Sequence, residues 1–341
     1  MILFLSFFQP TVHANNLSEK SSLTRATSPG IGTQNLLEEI PPLAPEEPHR
    51  KVAFITGVTR GIGRAVAELF LENGIHVIGV ARDAVALQAF YTNNLLKNSI
   101  SRRRGELKTI VADLSTDAGQ DSVALAVARY LGENGKLDLV LLNAGVIKPL
   151  GPKAIFTASA DEIRRCLRTN LESAVVLTGA LYPFYNKKNE GTRIMYVSSI
   201  AGERPGGGTA FYSTTKAGLD QWVRAMLKDA PGGDKVSFAG VNPGNVETDI
   251  HSKDLRGEDP LNFPRATFFN QMKGKLMSAE KAAEYIVWLL NTAPKEEFLK
   301  YPKHNIYNSE QQKLWSTEPV LDPYPATQTI PVSKSSALRS P

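Results

Sequence analysis

Cysteine is nearly absent from this chain, since Cys166 is the only one among its 341 residues. A single thiol excludes an intrachain disulfide and any metal site that needs several cysteines, and we expect no bound metal. Because Cys166 falls in a segment that the sequence predicts to be helical, we interpret it as a small packing residue rather than a nucleophile.

A strong excess of one charge is also lacking. The chain has 39 Lys and Arg against 34 Asp and Glu, which gives a net charge of +5. The densest basic cluster, Arg102–Arg104, lies in a predicted loop and has no aromatic residues interleaved with it. Nucleic-acid binding is therefore not expected.

The apolar start of the chain, Met1–Phe8, is far too short to span a bilayer, and no membrane partner is expected. It has about the minimum length of the core of a signal peptide, and Val12–Ala14 resembles a cleavage site. Signal peptides usually have a Lys or Arg before this core. This chain has none there. We expect a cytoplasmic protein, with secretory or organellar targeting through this segment as the alternative.

Both ends of the chain lack hydrophobic periodicity. Residues 9–50 and 316–341 are rich in Ser, Thr and Pro, and such segments do not bury enough apolar surface to fold. Although the length alone suggests about two domains, we expect one. The predicted organisation is a disordered or targeting extension over residues 1–50, one folded domain over residues 51–310, and a disordered tail over residues 311–341.

The middle of the chain contains a regular alternation of short apolar runs and longer amphipathic segments. The pattern predicts strands at residues 52–55, 75–80, 107–112, 137–142, 193–197 and 236–241, and helices that end near residues 71, 96, 131, 185, 227 and 290. An edge strand at residues 304–307 is also considered. Such alternation is typical of an α/β fold with a single doubly wound parallel sheet (Rossmann-type), whose ligands bind at the carboxyl ends of the strands.

A glycine-rich turn, Thr56–Gly63, separates the first predicted strand from the first predicted helix. Glycines let the backbone approach a pyrophosphate closely, and the start of the helix offers free N–H groups and the positive end of its dipole. The turn therefore predicts a dinucleotide site.

A second informative stretch follows the strand at residues 193–197. Ser199 is placed at the carboxyl end of that strand, and Tyr212 and Lys216 are four residues apart on the following helix. Side chains at this spacing share one helix face. A cation close to a phenol stabilises the phenolate, which favours proton donation at cellular pH. By itself this spacing occurs by chance in many helices.

Further motifs remove that ambiguity. Together with the glycine turn and the Tyr212/Lys216 pair, the triplet Asn143–Gly145, Asn170 and the pair Pro243–Gly244 resemble the short-chain dehydrogenase/reductase family. Ser199 precedes Tyr212 by thirteen residues (212 − 199), the usual interval in that family. The resemblance covers about residues 51–310.

The resemblance implies a role for each of four residues. Tyr212 would be the general acid that protonates a carbonyl oxygen while the cofactor transfers hydride to the carbon. Lys216 would assist Tyr212 and hold the nicotinamide ribose, Ser199 would hydrogen-bond the carbonyl, and Asn170 would position a water next to Lys216. Ser198 is the rival of Ser199, and only the thirteen-residue interval separates the two.

The resemblance also implies a set of residues that contact the cofactor. They are Gly57, Arg60, Gly61, Ile62, Gly63, Arg82, Asp113, Leu114, Asn143, Ala144, Gly145, Tyr212, Lys216, Pro243, Gly244, Val246 and Thr248. The family commonly has a second Asn before Asn143, where this chain has Leu142. We expect the ribose contact and strand support by Asn143 to survive this change.

The end of the second strand predicts which nicotinamide cofactor is used. Enzymes of this fold that prefer NAD place a carboxylate there, whereas this chain has Ala81 followed by Arg82. Arg60 in the glycine turn supplies a second cation, and guanidinium groups suit phosphate. Asp83 is expected to cap the next helix instead of contacting the ribose. NADP(H) is therefore expected in preference to NAD(H).

The expected activity is NADPH-dependent reduction of a ketone or vicinal dicarbonyl, a small-molecule substrate, to an alcohol. Several stretches resemble the sepiapterin-reductase and benzil-reductase branch more than the fatty-acid reductases. A dinucleotide-binding regulatory or scaffold protein without turnover is the alternative. By analogy with the family we expect a homo-oligomer, a dimer or a tetramer. Residues 249–277, rich in charge, proline and aromatics, are predicted to form a substrate lid.

Overall fold

Seven parallel strands form one sheet in the order β3-β2-β1-β4-β5-β6-β7. The computed structural model describes residues 50–100, 104–151, 153–188, 190–229, 235–248, 276–318 and 320. The strands are β1 Val52–Thr56, β2 His76–Ala81, β3 Leu107–Val111, β4 Leu139–Leu142, β5 Thr192–Val197, β6 Val236–Asn242 and β7 Lys303–Asn305. The chain order reverses between β1 and β4, so the predicted doubly wound, Rossmann-type sheet is confirmed.

Helices cover both faces of this sheet. In the described residues they are α1 Gly61–Glu72, α2 Ala84–Ile100, α3 Asp117–Leu131, α4 Ala154–Thr157, α5 Ala160–Leu167, α6 Ser173–Ala180, α7 Ala210–Asp229, α8 Ala279–Val287, α9 Lys295–Leu299 and α10 Ser309–Trp315. One buried cluster, with Phe70 and Ile286, packs helices α1 and α8 on one face. A second cluster, with Leu177 and Val223, packs α3, α6 and α7 on the other. Burial on both faces explains the nearly continuous apolar runs of the strands.

The helix predicted to end near residue 185 differs from the prediction in two ways. Between α5 and α6 the segment Arg168–Glu172 forms a π turn, and α6 ends at Ala180. Beyond it Tyr182–Phe184 forms a short 3-10 turn with Pro183 near its start. Proline lacks the N–H that an α-helix interior needs, so the helix stops before it.

The folded part of the chain extends past the boundary predicted at residue 310. Helix α10 crosses that boundary, and the ring of Trp315 lies 5.0 Å from the ring of Tyr285 between centroids. Gln312 exchanges hydrogen bonds with the backbone of Val320. The predicted extension up to residue 49, the tail after Val320 and most of the predicted lid, residues 249–275, lie outside the described residues.

Two features are absent from the part of the chain that the structure describes. There, no helix is both long and apolar enough to cross a bilayer. Within the same residues no group of His, Cys, Asp and Glu side chains is arranged to hold a metal ion. Cys166 is fully buried, and burial raises the pKa of its thiol to about 11. A thiol with so high a pKa is a poor nucleophile.

Candidate active site

The glycine turn connects β1 to α1 with very little space between them. Gly57 and Gly61 have positive φ angles of 77° and 55°, a backbone conformation that glycine adopts without strain. A Cβ on Gly63 would lie 2.3 Å from the carbonyl oxygen of Gly57. The side chain of Arg60, the residue before α1, does not cap the first turn of the helix. Helix starts of this kind bind phosphates through their N–H groups.

We expect Gly63→Ala to lower the free energy of unfolding by about 1 to 3 kcal/mol, because the new methyl group would clash with backbone that has no room to move. Dinucleotide binding should weaken as well, since the turn would have to shift. Urea denaturation and fluorescence titration with NADPH measure the two effects. Gly179→Ala in α6 is the matched control, because a Cβ there would meet nothing within 4 Å. Equal stability of the two variants would contradict the close packing.

Asn143 fastens the carboxyl end of β4 to the glycine turn. Its amide nitrogen donates to the backbone oxygens of Thr56 at 2.9 Å and Gly57 at 3.3 Å. In return the hydroxyl of Thr56 accepts from the backbone N–H groups of Asn143 and Ala144, both at 3.0 Å. Thr56 was not among the predicted site residues, although its place at the start of the glycine turn was a usable signal. Leu142, where the family commonly has Asn, is buried in the core.

The end of β2 has the arrangement that the cofactor prediction requires. Ala81 is buried, whereas Arg82 and Asp83 are exposed. The carboxylate of Asp83 accepts a hydrogen bond from the backbone N–H of Ala86 at 3.0 Å. Asp83 therefore caps α2, as predicted, and Arg82 is the first exposed side chain after the strand.

Asp113 and Leu114 follow the neighbouring strand, β3. Leu114 is buried, and the carboxylate of Asp113 accepts from the hydroxyl of Ser115 at 2.7 Å and from Arg165 at 3.2 Å. Burial by itself raises the pKa of Asp113, but the hydrogen bonds from Ser115 and the charges of Arg165 and Arg82 outweigh it and hold the pKa below its usual value. Arg165, which comes from α5, was not predicted as part of this region because no local pattern links it to Asp113.

Tyr212 and Lys216 lie on the first turns of α7, beside the end of β5. The Nζ atom of Lys216 is 5.6 Å from the centroid of the Tyr212 ring, and it donates to the backbone oxygen of Val197 at 2.6 Å. Tyr212 packs in a small apolar cluster with Ile147 and Ala201. The predicted spacing thus brings the phenol and the ammonium group together at the strand end.

Burial determines the acidity of Lys216. The side chain is buried, only 4% exposed, and this desolvation lowers its pKa from 10.5 to about 8, against the opposing effects of Asp220 and Cys166. The charged form remains the main one at neutral pH. Its burial is nevertheless unfavourable, because an ammonium group loses its hydration.

We expect Lys216→Met to raise the free energy of unfolding by about 1 to 3 kcal/mol near pH 7, because it removes a buried charge. The loss of the hydrogen bond to Val197 offsets part of this gain in stability. The pKa of Lys216 in the folded protein lies below its usual value. As pH rises from about 8 to 10.5, Lys216 loses its proton in the folded wild type before it does so in the unfolded chain, and the cost of burying the charge disappears. The advantage of the variant should therefore shrink over that range. Urea denaturation at pH 7 and pH 10 measures it, and an advantage independent of pH would contradict the assignment.

Asn170 lies in the π turn between α5 and α6. Its Oδ1 accepts from the backbone N–H of Val146 at 2.7 Å, and its Nδ2 donates to the oxygen of Val146 at 2.8 Å and to Thr215 at 3.1 Å. A Cβ on Gly145 would lie 3.5 Å from Asn170 Oδ1 and 3.9 Å from Lys216 Nζ. Asn170 thus joins the loop after β4 to α7, and π turns often occur at functional sites. Thr215 is a partner that the motifs did not indicate.

The two neighbouring serines have different surroundings. Ser198 is buried, and its hydroxyl donates to the carboxylate of Asp220. The hydroxyl of Ser199 accepts a hydrogen bond from the backbone N–H of Ala201 at 3.1 Å. The O–H group of Ser199 can therefore still donate a hydrogen bond to another acceptor. This difference favours Ser199 as the residue that faces a substrate.

The loop after β6 lies opposite the glycine turn. Gly244 has a φ angle of 84°, and the hydroxyl of Tyr307 accepts from the N–H of Asn245 at 2.9 Å. Val246 pairs with Met277. A Cβ on Gly61 would lie 3.1 Å from the methyl group of Thr248. A cavity of about 280 Å³ is lined by Gly61, Glu247, Thr248, Ser278, Ala279 and Glu280.

The remaining predicted residues fall in the same area. Ile62 is in the first turn of α1, and Pro243 directly follows β6. The structure therefore gathers the predicted set along the carboxyl ends of β1, β2, β3, β4, β5 and β6. This is the edge at which open parallel sheets bind ligands.

Comparisons with known proteins agree with this geometry. A sequence model of the family described as short chain dehydrogenase matches residues 51–259. The chain is 30% identical over 239 residues to the 3-oxoacyl-(acyl-carrier-protein) reductase FabG of Vibrio harveyi, covering 70% of this chain and 89% of that protein. It is 31% identical over 260 residues to an uncharacterized oxidoreductase of Schizosaccharomyces pombe, covering 73% and 94%.

A solved structure shares the fold. The short chain dehydrogenase from Burkholderia cenocepacia in complex with NADP matches with a TM-score of 0.59 at 22% identity, covering 75% of this chain and 95% of that one. The narrower resemblance to the sepiapterin-reductase and benzil-reductase branch is not tested by these comparisons and stays a prediction.

The family match covers more than half of the chain, and both sequence relatives are matched over most of their length. The close-packed glycine turn and the helix start behind it fit the phosphates of a nicotinamide dinucleotide. The family resemblance predicted from the motifs is thus confirmed. The chain belongs to the short-chain dehydrogenase/reductase family and is an NAD(P)-dependent oxidoreductase.

Proposed function

We propose that this protein reduces a compact ketone or vicinal dicarbonyl to an alcohol with NADPH, and that Tyr212 is the proton donor. The observation that supports this most is the grouping of Ser199, Tyr212 and Lys216 at the end of β5, with Tyr212 in an apolar surrounding. A regulatory or scaffold protein without turnover would not need this combination.

Each residue has a defined part in the proposed mechanism. When bound, the dinucleotide supplies the hydride. The hydroxyl of Ser199 accepts a hydrogen bond from the backbone N–H of Ala201. It donates a hydrogen bond, without transferring its proton, to the carbonyl oxygen and so orients that group. Tyr212 transfers its proton to the same oxygen as negative charge develops there. The ammonium group of Lys216 stabilises the phenolate that remains on Tyr212.

The side chains around Tyr212 support an apolar substrate. Ile147 and Ala201 are buried beside the Tyr212 ring, and Leu150 and Leu276 pack against them. Such a surface binds a hydrocarbon body through the hydrophobic effect and leaves the carbonyl group to the hydroxyls of Ser199 and Tyr212.

NADPH as the cofactor is supported by the end of β2. The carboxylate of Asp83 accepts from the backbone N–H of Ala86 and so serves as the cap of α2. Arg82 and Arg60 are both exposed, and each offers a guanidinium group to a 2′-phosphate. The related structure from Burkholderia cenocepacia is a complex with NADP.

The test of this function is the loss of NADPH absorbance with benzil, diacetyl, cyclohexanone and acetoacetyl-CoA as separate substrates. We expect benzil or diacetyl to be reduced fastest. Reduction of acetoacetyl-CoA alone would instead assign the protein to the chemistry named for the Vibrio harveyi relative. No reduction of any of the four, with NADPH still bound, would support the alternative of a binding protein without turnover.

We also propose a cytoplasmic homo-oligomer. Leu167 in α5 and Val176 in α6 are partly exposed apolar side chains on the outside of the sheet, 36% and 40% exposed. Two copies can bury them against each other. Light scattering that gives a monomer mass would contradict the oligomer, and a fluorescent fusion of residues 1–30 that enters the secretory pathway would contradict the location.

A further inference from the structure

Lys303 lies on the edge strand β7, far along the chain from the catalytic motifs, yet it contacts the chain around Ser199. Its Nζ atom is 2.6 Å from the carboxylate of Asp220, 2.6 Å from that of Glu203 and 3.5 Å from the backbone oxygen of Ser199. An ammonium group has three N–H donors. These three acceptors can engage all of them, so Lys303 ties the edge strand to the segment that presents Ser199.

Asp220 forms an ion pair with Lys303 and interacts electrostatically with Lys216. It is one turn after Lys216 on α7, it is nearly buried, and its second carboxylate oxygen accepts from the hydroxyl of Ser198. Among the described residues, the titratable groups that interact with the Lys216 ammonium are Tyr212 and Asp220 from its own helix and Cys166 from α5. Among them Asp220 is the one whose charge most favours the protonated ammonium of Lys216.

The turn after Ser199 packs closely against this ion pair. Ile200–Gly202 forms one turn of 3-10 helix that packs against α7. A Cβ on Gly202 would lie 2.8 Å from the carboxylate of Asp220 and 3.0 Å from the backbone nitrogen of Ala217. A shift of Asp220 would therefore be transmitted to the backbone of Ser199.

The strand that bears Lys303 is itself well anchored. The neighbouring residue His304 is fully buried, and its Nε2 atom is 2.8 Å from the backbone oxygen of Phe298. The N–H of Ile306 donates to the oxygen of Asn242 in β6 at 3.2 Å. Lys303 thus projects from a rigid backbone, as a residue that fixes the position of another group must.

We infer that Lys303 and Asp220 are positioning residues for the reduction: Lys303 holds the backbone of Ser199 and the carboxylate of Asp220 in place, and Asp220 presents a buried negative charge one helical turn after Lys216. Neither residue touches the substrate in this proposal. The inference rests on the proposed function, because it assigns the two residues to the action of Ser199 and Lys216.

The experiment compares Lys303→Met, Asp220→Asn and the double variant with the wild type, using NADPH and benzil. Misplacement of Ser199 should lower kcat of Lys303→Met by about tenfold or more, with the Kd of NADPH changed less than about twofold because the glycine turn is untouched. Asp220→Asn should move the alkaline limb of the kcat profile to lower pH, since the charge that favours protonated Lys216 is gone.

The double variant distinguishes a loss of kcat caused by misplaced catalytic groups from a loss caused by lower stability. It removes both members of the pair, so its Tm should recover relative to Lys303→Met, whereas its kcat should stay at least about tenfold below the wild type. Because it removes the ammonium group of Lys303 together with the buried carboxylate that pairs with it, it also serves as the test if Lys303→Met does not fold. Lys313→Met, which removes an exposed lysine paired with Glu310, is the matched control and should behave as wild type.

Two outcomes would overturn the inference. One is a double variant with wild-type kcat, and the other is an alkaline limb that stays in place in Asp220→Asn. Failure of the proposed function is a separate result, since it would show as unchanged activity in Tyr212→Phe. Activity lost in Tyr212→Phe but kept in Lys303→Met and in the double variant would leave the function standing and remove only the positioning roles.

Discussion

Carbonyl reduction by Tyr212→Phe is expected to be lower than that of the wild type by roughly 10²-fold or more, the usual size of general acid catalysis. The substitution removes one hydroxyl group and keeps the ring, which packs against Ile147 and Ala201. The apolar cluster is therefore retained, and so is the partnership of Lys216 with Val197. The loss should appear in kcat, while the Kd of NADPH from fluorescence titration changes little.

Tyr130→Phe is the matched control for this substitution. Tyr130 lies on α3 and its hydroxyl donates to the backbone oxygen of Thr109 at the surface. Its loss should leave kcat unchanged. If Tyr212→Phe kept activity near that of the wild type, the proton donor would have to be another group and the proposed mechanism would be wrong.

Replacement of Arg82 by Ala is expected to remove most of a preference for NADPH over NADH that is at least about tenfold in kcat/KM. A charge-assisted hydrogen bond to the 2′-phosphate contributes about 1.5 to 3 kcal/mol, and NADH has no phosphate at this position. The variant should therefore use NADPH less well and NADH as before. Steady-state kinetics with both cofactors measure the ratio directly.

Arg129→Ala provides a control for the general loss of a surface cation, because Arg129 is an exposed residue of α3. It should keep the wild-type cofactor ratio. A wild type that uses both cofactors equally well would contradict the predicted preference, as would an Arg82→Ala variant that loses NADPH and NADH activity alike. Arg60→Ala should act in the same direction as Arg82→Ala, since Arg60 approaches the phosphate from the glycine turn.

Local sequence patterns predicted the order of the elements and proposed the residues of the candidate site. The run before the glycine turn and the run before Ser199 are strands because the central strands of a parallel sheet are buried on both faces and contain few polar residues. The interval between Tyr212 and Lys216 placed both side chains on one face of α7. Asp83 was expected to cap α2, and it does so through Ala86.

The predicted end of one helix, near residue 185, was wrong because of local features of the chain. The apolar pattern continues past Ala180, but Pro183 stops the helix and a π turn at Arg168–Glu172 interrupts it. The π turn adds a residue to one turn of the helix and aims Asn170 at Val146 and Thr215. No periodicity argument distinguishes such a turn from regular helix, because it changes the hydrogen-bond register without changing the residue types.

The sequence by itself determined the family, the parallel sheet and the residues of the proposed chemistry, because motifs, periodicity and spacing act over a few residues at a time. Only the tertiary structure decided which distant groups support them. Lys303 meets Asp220 and Ser199 from another strand, and Trp315 meets Tyr285 beyond the predicted domain boundary. These contacts join residues far apart in the chain, and nothing in the local sequence specifies such pairs before the sheet brings them together.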